Sequence, residues 1–224
     1  MSIANLIVQP HAAYLIADSG YFAEDGTVSA LAPKILTTHF GAYASTGHGT
    51  VWLEAVKRLD ITHLAPDAFR DGIKAIYDEK GLDSPADASR YLAAIWSERL
   101  QRPLGLSFFT NADDGAPEQR PWTWYPARVI LLPFPKPVDV WGMDVQVDIK
   151  DPEVFDPFTD SMHIVHAQRT RREGWLHGDG CKVAGEIHLV EVSGAGVKIF
   201  DLHTYPDRVG ELAGVYQSEL RRLD

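Results

Sequence analysis

Ile3-Ala4-Asn5-Leu6-Ile7-Val8, Gln9-Pro10-His11, Ala12-Ala13-Tyr14-Leu15-Ile16-Ala17 and Asp18-Ser19-Gly20 follow one another without interruption. They amount to two nearly continuous apolar runs, a short break between them and a turn at the end. A strand with one face in water alternates apolar and polar residues; a strand covered on both faces need not. Both runs are of the second kind. The break is short enough to fold them into an antiparallel hairpin, and Asp18-Ser19-Gly20 supplies turn chemistry where the second strand stops. A hairpin buried on both faces requires cover on both, which predicts an α/β (α+β) chain with two mainly antiparallel sheets and helices outside them.

Outward from the hairpin, a polar connection containing Glu24-Asp25-Gly26 leads to two further strands, Lys34–Thr38 and Ala42–Thr46, around Phe40-Gly41. Gly47-His48-Gly49 is a glycine-rich exit into helical spacing, with Val51, Trp52, Ala55, Val56 and Leu59 on one face. A second helix is predicted over Pro66–Lys80, with Phe69, Ile73, Ile76 and Tyr77 inward and Gly81 as its stop. A third is predicted after Ser84. Ser84 has N-cap chemistry, Pro85 suits the first helical position, and Ala88, Tyr91, Leu92, Ile95, Trp96 and Leu100 form an apolar stripe. Leu104–Thr110 and Ala127–Phe134 read as strands around a Trp-containing loop. Asp156-Pro157 opens a helix through Glu173 with Phe158, Met162 and Val165 on one face. A closing hairpin pairs Glu186–Val192 with Val197–Leu202, and Pro206–Leu223 reads as a final helix.

Composition narrows the function classes. The 224 residues are 45% hydrophobic and 23% charged, ordinary for a globular chain and consistent with one domain over 1–224. The formal net charge of −10 argues against non-specific nucleic-acid binding and against docking on anionic membranes. No apolar stretch approaches the ~18 residues of a membrane span, and the N-terminus lacks signal-peptide patterning. The single cysteine, Cys181, excludes an internal disulfide, so the cytoplasm is the expected compartment.

Four features of the first fifty residues carry chemistry. Ser2 follows the initiator Met, Asp18 ends the second strand, Lys34 opens the third, and Gly47 stands between a strand and a helix. The separations Ser2–Asp18 and Asp18–Lys34 are both sixteen residues. Each feature has an ordinary explanation alone: Ser permits Met removal, Asp closes turns, Lys is solvated, and Gly relieves the backbone. The shared spacing is what distinguishes them. With Ile16-Ala17-Asp18-Ser19, Pro33-Lys34-Ile35 and Ser45-Thr46-Gly47-His48-Gly49, the segment from residue 2 to about 60 resembles proteasome β-subunits and bacterial proteasome-like peptidases of the N-terminal nucleophile (Ntn) hydrolases. The resemblance implies a four-layer αββα sandwich and a peptidase or amidase that acts through an acyl-enzyme on Ser2. It implies no cofactor and no metal, a peptide or small amide as substrate, and homo-oligomers, and it leaves an ATPase partner open.

The residues fit that chemistry. Removal of Met1 gives Ser2 both a hydroxyl and an α-amine with a pKa near 7.7–8, so the amine can serve as the nucleophile's base. A Lys34 ammonium disfavours protonation of that amine and stabilises an alkoxide, Asp18 holds Lys34, and the Gly47 N–H is placed to donate to an oxyanion. On this basis Lys34 is expected beside Asp18 at the mouth between the sheets, where its replacement costs activity and little stability. A second reading keeps the fold without the reaction. Proteasome-like enzymes carry a hydroxyl in the segment before the closing hairpin, and here Gly180–Gly185 has Val183 at that position, as in a catalytically inactive assembly or scaffold subunit. A third reading takes His163, His166, His177, Asp179, Cys181 and His188 as metal ligands, although their spacing matches no strong zinc pattern. Trp122, Trp124 and Tyr125 read as a packed or interface loop, with a peptide- or sugar-binding platform as the alternative.

Overall fold

The computed structural model describes residues 3–60, 63–111, 119–132, 151–170, 181 and 183–214. The opening hairpin forms as read, β1 (Ala4–Val8) and β2 (Ala12–Asp18) pairing antiparallel with Leu6 opposite Leu15. They are followed by β3 (Gly20–Phe22), β4 (Val28–Leu31), β5 (Ile35–Thr37), β6 (Gly41–Thr46), α1 (Gly49–Arg58) and α2 (Pro66–Lys80). Then come β7 (Arg90–Ser97), β8 (Arg102–Phe109), β9 (Tyr125–Pro126), β10 (Val129–Leu132), α3 (Thr159–Thr170), β11 (Glu186–Ser193) and β12 (Gly196–Thr204). One five-stranded sheet has the order β10-β1-β2-β11-β12, and a second has the order β5-β6-β7-β8-β9. All pairings in both are antiparallel. The chain is therefore a mixed α+β structure with mainly antiparallel sheets.

Strand parity sorts the side chains. Ala4, Leu6, Ala13, Leu15, Val190 and Val192 of the first sheet share one buried cluster with Ala42, Ala44, Leu92 and Ala94 of the second. The alternate residues Ile7, Tyr14, Ile16, Ile187 and Leu189 pack with Ile164 and Val165 of α3. On the second sheet Tyr43, Tyr91, Ala93 and Phe108 pack with Val51, Trp52 and Ala55 of α1 and with Phe69, Ile73, Ile76 and Tyr77 of α2. Burying a large apolar side chain is worth roughly 1.5–3 kcal/mol, so the α2 stripe alone anchors that helix firmly. Gly81 ends α2 in the left-handed conformation (φ 66°), as its position in the sequence implied. Trp122 and Trp124 also join this cluster. Trp124 stands edge-on to Phe108 at 4.6 Å and donates its indole N–H to Pro66 O at 3.1 Å, so the loop is a packed one.

Three expectations are corrected. The helix predicted after Ser84 is strand β7. The cap signal itself is real, since the Ser84 hydroxyl and N–H both donate to Asp87 Oδ2 at 2.7 and 3.2 Å, but it opens only a 3₁₀ turn, Pro85–Asp87. Tyr91, Leu92, Ala93 and Ala94 are all fully buried and face alternately α1–α2 and the first sheet. A continuous apolar run has no period, so helix and strand look alike in it. The polar connection after Asp18 holds a two-stranded ribbon, β3–β4, with Gly20 opposite Leu31. Finally, Pro206–Gly214 is turn and irregular backbone rather than helix; the rest of that predicted helix, and 171–173 of the one before, lie outside the described residues.

Candidate functional site

Asp18, the last residue of β2, is fully buried, and Lys34, in the extended segment just before β5, is 2% exposed. Lys34 Nζ donates to Asp18 Oδ1 at 2.8 Å and to Gly20 O. Three backbone N–H groups also converge on the Asp18 carboxylate: Ile3 on Oδ1 at 3.3 Å, and Gly20 and Ala184 on Oδ2 at 3.2 and 3.1 Å. A charge taken out of water this completely persists only when paired and hydrogen-bonded, and both conditions are met. Burial pushes the Lys34 amine below its ordinary value, and Asp18 opposes that shift through its charge and hydrogen bond. The expected ion pair is therefore present, and both of its members are buried.

Aromatic rings wall the ammonium. Lys34 Nζ lies 5.0 Å from the centre of the Tyr21 ring and 5.6 Å from that of Phe22, within cation–π range. Burial, and next the negative charge of Asp18, push the Tyr21 phenol well above its ordinary value. The Tyr21 ring also meets the start of α1, where a Cβ on Gly49 would fall 2.7 Å from Tyr21 Cδ1. Tyr21, Ser29, Ala30, His48, Gly49, Thr50 and Leu53 line a mainly apolar cavity there, of about 290 Å³. Gly47, just upstream, has φ +113°, and a Cβ would come within 2.3 Å of Ser89 Oγ and 2.7 Å of Ala88 O. Only glycine fits. Ser89 Oγ also accepts the His48 N–H at 2.8 Å, which fixes the turn into the helix.

Of the four residues singled out in the sequence, Asp18 and Lys34 are thus in contact. Gly47 enters a turn that packs against the ring covering Lys34, and Ser2 lies outside the described residues. The backbone following Ser2 is tied to the pair through Ile3. Val183 is fully buried within the cluster that also contains Ile3. No local pattern points to Tyr21 as a wall, nor to the Ala184 N–H, which reaches Asp18 from 166 residues away.

The histidine reading gains no support. Among the described residues no group of three or more His, Cys, Asp or Glu side chains could hold a metal ion. His163 lies 3.9 Å from Asp160, and His188 lies between Glu186 and Asp201 at 3.2 and 3.4 Å. His177 and Asp179 lie outside the described residues. Cys181 is buried, and desolvation raises its thiol pKa although Arg169 pulls the other way; such a thiol is a poor nucleophile. Among the described residues no helix is long and apolar enough to cross a membrane.

No protein-family model matches the chain, and no curated protein matches it. Among solved structures it is similar to the Gly-1 mutant of Anbu from Hyphomicrobium sp. strain MC1, with a TM-score of 0.58 and 13% sequence identity, over 100% of this chain and 97% of that one. That likeness is one of fold.

Proposed function

We propose that the chain is a one-domain Ntn hydrolase of the αββα type. It cleaves the amide bond of a peptide or a small amide through an acyl-enzyme on Ser2, in the cytoplasm and as a homo-oligomer. The observation that carries this reading is the convergence on Asp18 Oδ1 of the buried Lys34 ammonium and the N–H of Ile3, the residue next to Ser2. It ties the start of the chain to a held cation. Once Met1 is removed, the Ser2 α-amine accepts the hydroxyl proton as Oγ attacks the substrate carbonyl, and the Gly47 N–H donates to the oxyanion. Collapse expels the amine product with that proton, and water, deprotonated by the same α-amine, releases the acyl group. Base assistance of this kind is worth about 10²–10⁴ in rate and one oxyanion donor about 10²–10³.

The test begins with an intact-mass measurement for loss of Met1, followed by a β-lactone probe that acylates hydroxyl nucleophiles. Labelling is expected at Ser2 alone, rising through roughly pH 7–8 as the amine loses its proton. It should be absent in Ser2→Ala and partly kept in Ser2→Thr. Amide hydrolysis by a protein that retains Met1 would overturn the mechanism. A mature chain that resists labelling would favour the second reading, an inactive assembly or scaffold subunit, which the fully buried Val183 supports.

A further inference from the structure

A second buried ion pair stands behind the first. Arg169, in the last turn of α3, is 2% exposed, and Asp207, beyond the end of β12, is 8% exposed. The two guanidinium ends donate to the two carboxylate oxygens at 2.8 and 2.9 Å, and the guanidinium lies 3.9 Å from the centre of the Tyr205 ring. Asp207 also accepts the Gly185 and Gly214 N–H groups at 3.3 and 2.9 Å.

One further bond connects the pair to the candidate site: Arg169 Nη1 donates to Val183 O. That oxygen belongs to the same planar peptide group as the Ala184 N–H, which donates to Asp18 Oδ2 at 3.1 Å. A single amide plane therefore has a guanidinium on its oxygen and a carboxylate on its N–H. Each polarises it in the direction that strengthens the other bond. The N–H of the following peptide, that of Gly185, is held by Asp207, so the peptide units on both sides of Ala184 are hydrogen-bonded to buried charged groups. Apolar side chains replace buried ion pairs with little loss of stability, so stability alone does not call for this pair; apolar groups cannot orient and polarise a peptide oxygen.

We propose that Arg169 and Asp207 are positioning residues for Asp18 and Lys34, acting through the Val183–Ala184 peptide. The proposal rests on the assignment of Asp18 and Lys34 to the reaction. When the plane is freed, the Ala184 N–H bond lengthens, the Asp18 carboxylate keeps more of its charge for Lys34, and the ammonium is held more firmly.

Two variants leave the net charge of the pair unchanged. Arg169→Lys keeps the cation but loses the planar fork, and Arg169→Gln with Asp207→Asn removes one charge of each sign. The titration of Lys34 is followed through the ¹³Cε shift of labelled lysine, and the Ala184 hydrogen bond through its amide proton. Ile164→Val, in the core face of the same helix, is the control for stability. In both variants the Lys34 midpoint should rise by about half a unit, the Ala184 proton should move upfield, and the control should change neither. If both variants lose stability while these two signals stay where the control has them, the pair is only structural and the proposal is wrong. The readout needs no catalysis, so it holds even if Ser2 proves inert. Labelling of Ser2 with an unmoved Lys34 would remove this proposal alone.

Discussion

Tyr21 and Gly49 are in contact through the absence of a side chain, the ring occupying the place where a Cβ on the glycine would lie, 2.7 Å from Cδ1. Since the same ring covers Lys34, a methyl group at position 49 acts on the ion pair through Tyr21. Gly49→Ala should cost about 1–3 kcal/mol in urea denaturation, as overpacking does, and should slow labelling of Ser2. Unchanged stability together with unchanged labelling would show that the ring has room to move.

The Tyr21 hydroxyl is buried and, among the described residues, has no hydrogen-bond partner. An unsatisfied buried polar group is a cost in the folded state. Tyr21→Phe should therefore be neutral or stabilise by up to about 1 kcal/mol, read as a shift in the urea midpoint. A clear loss of stability would mean that the hydroxyl has a partner.

Lys34→Ala should abolish labelling and also destabilise by about 3–5 kcal/mol, because it leaves Asp18 buried without its counter-ion. Replacing Asp18 by Asn at the same time should recover part of that stability and none of the labelling. Chemical denaturation of the three proteins checks the order. The sequence reading expects little loss of stability from this replacement; the burial of both partners, 2% and 0% exposed, is why a large loss is expected instead.

Gly47→Ala should cost about 1–3 kcal/mol for the backbone conformation alone, with the clash against Ser89 Oγ in addition. Labelling should fall with it. Thermal denaturation, with Gly81→Ala as a left-handed comparison where a Cβ meets nothing, separates strain from collision.

The contribution of Cys181 to stability should fall as pH rises from about 8.5. The Cys181 thiol has a raised pKa in the folded protein, so its contribution is complete below the unfolded value near 8.5 and is lost as pH climbs through the folded value. Lys34, lowered by burial, acts the other way; its term favours folding fully only above the unfolded lysine value of about 10.4. Cys181→Ala should make the slope of stability against pH more positive between about pH 8 and 9.5, and Lys34→Met should make it more negative. Urea midpoints across that range test both signs.

Local patterns carried much of the fold. The β1–β2 and β11–β12 hairpins and the bounds of α2 follow from turn residues, apolar runs and a glycine stop within a few residues of one another. Strand β7 was misread because Ser84, Pro85 and Asp87 are a true helix opening followed by a run too apolar to show any period. The β3–β4 ribbon was missed because three- and four-residue strands in a polar segment leave no pattern. In the candidate site, the spacing marked Asp18 and Lys34. Their burial did not show, because the groups enclosing them come from Tyr21, Phe22 and Ala184. Arg169 and Asp207 are 38 residues apart and carry no local signal.

Of the ten buried residues between the two sheets, five are alanines: Ala4, Ala13, Ala42, Ala44 and Ala94. An alanine methyl has no rotamers to exchange, so these five positions have almost no freedom with which to absorb a misfit. An enlarged residue there cannot be accommodated where it sits; the sheets must shift as bodies, and the displacement reaches the end of β2, where Asp18 is. Substitutions far from any reacting group can therefore act on the chemistry through that layer, which behaves less like a cushion than like a lever.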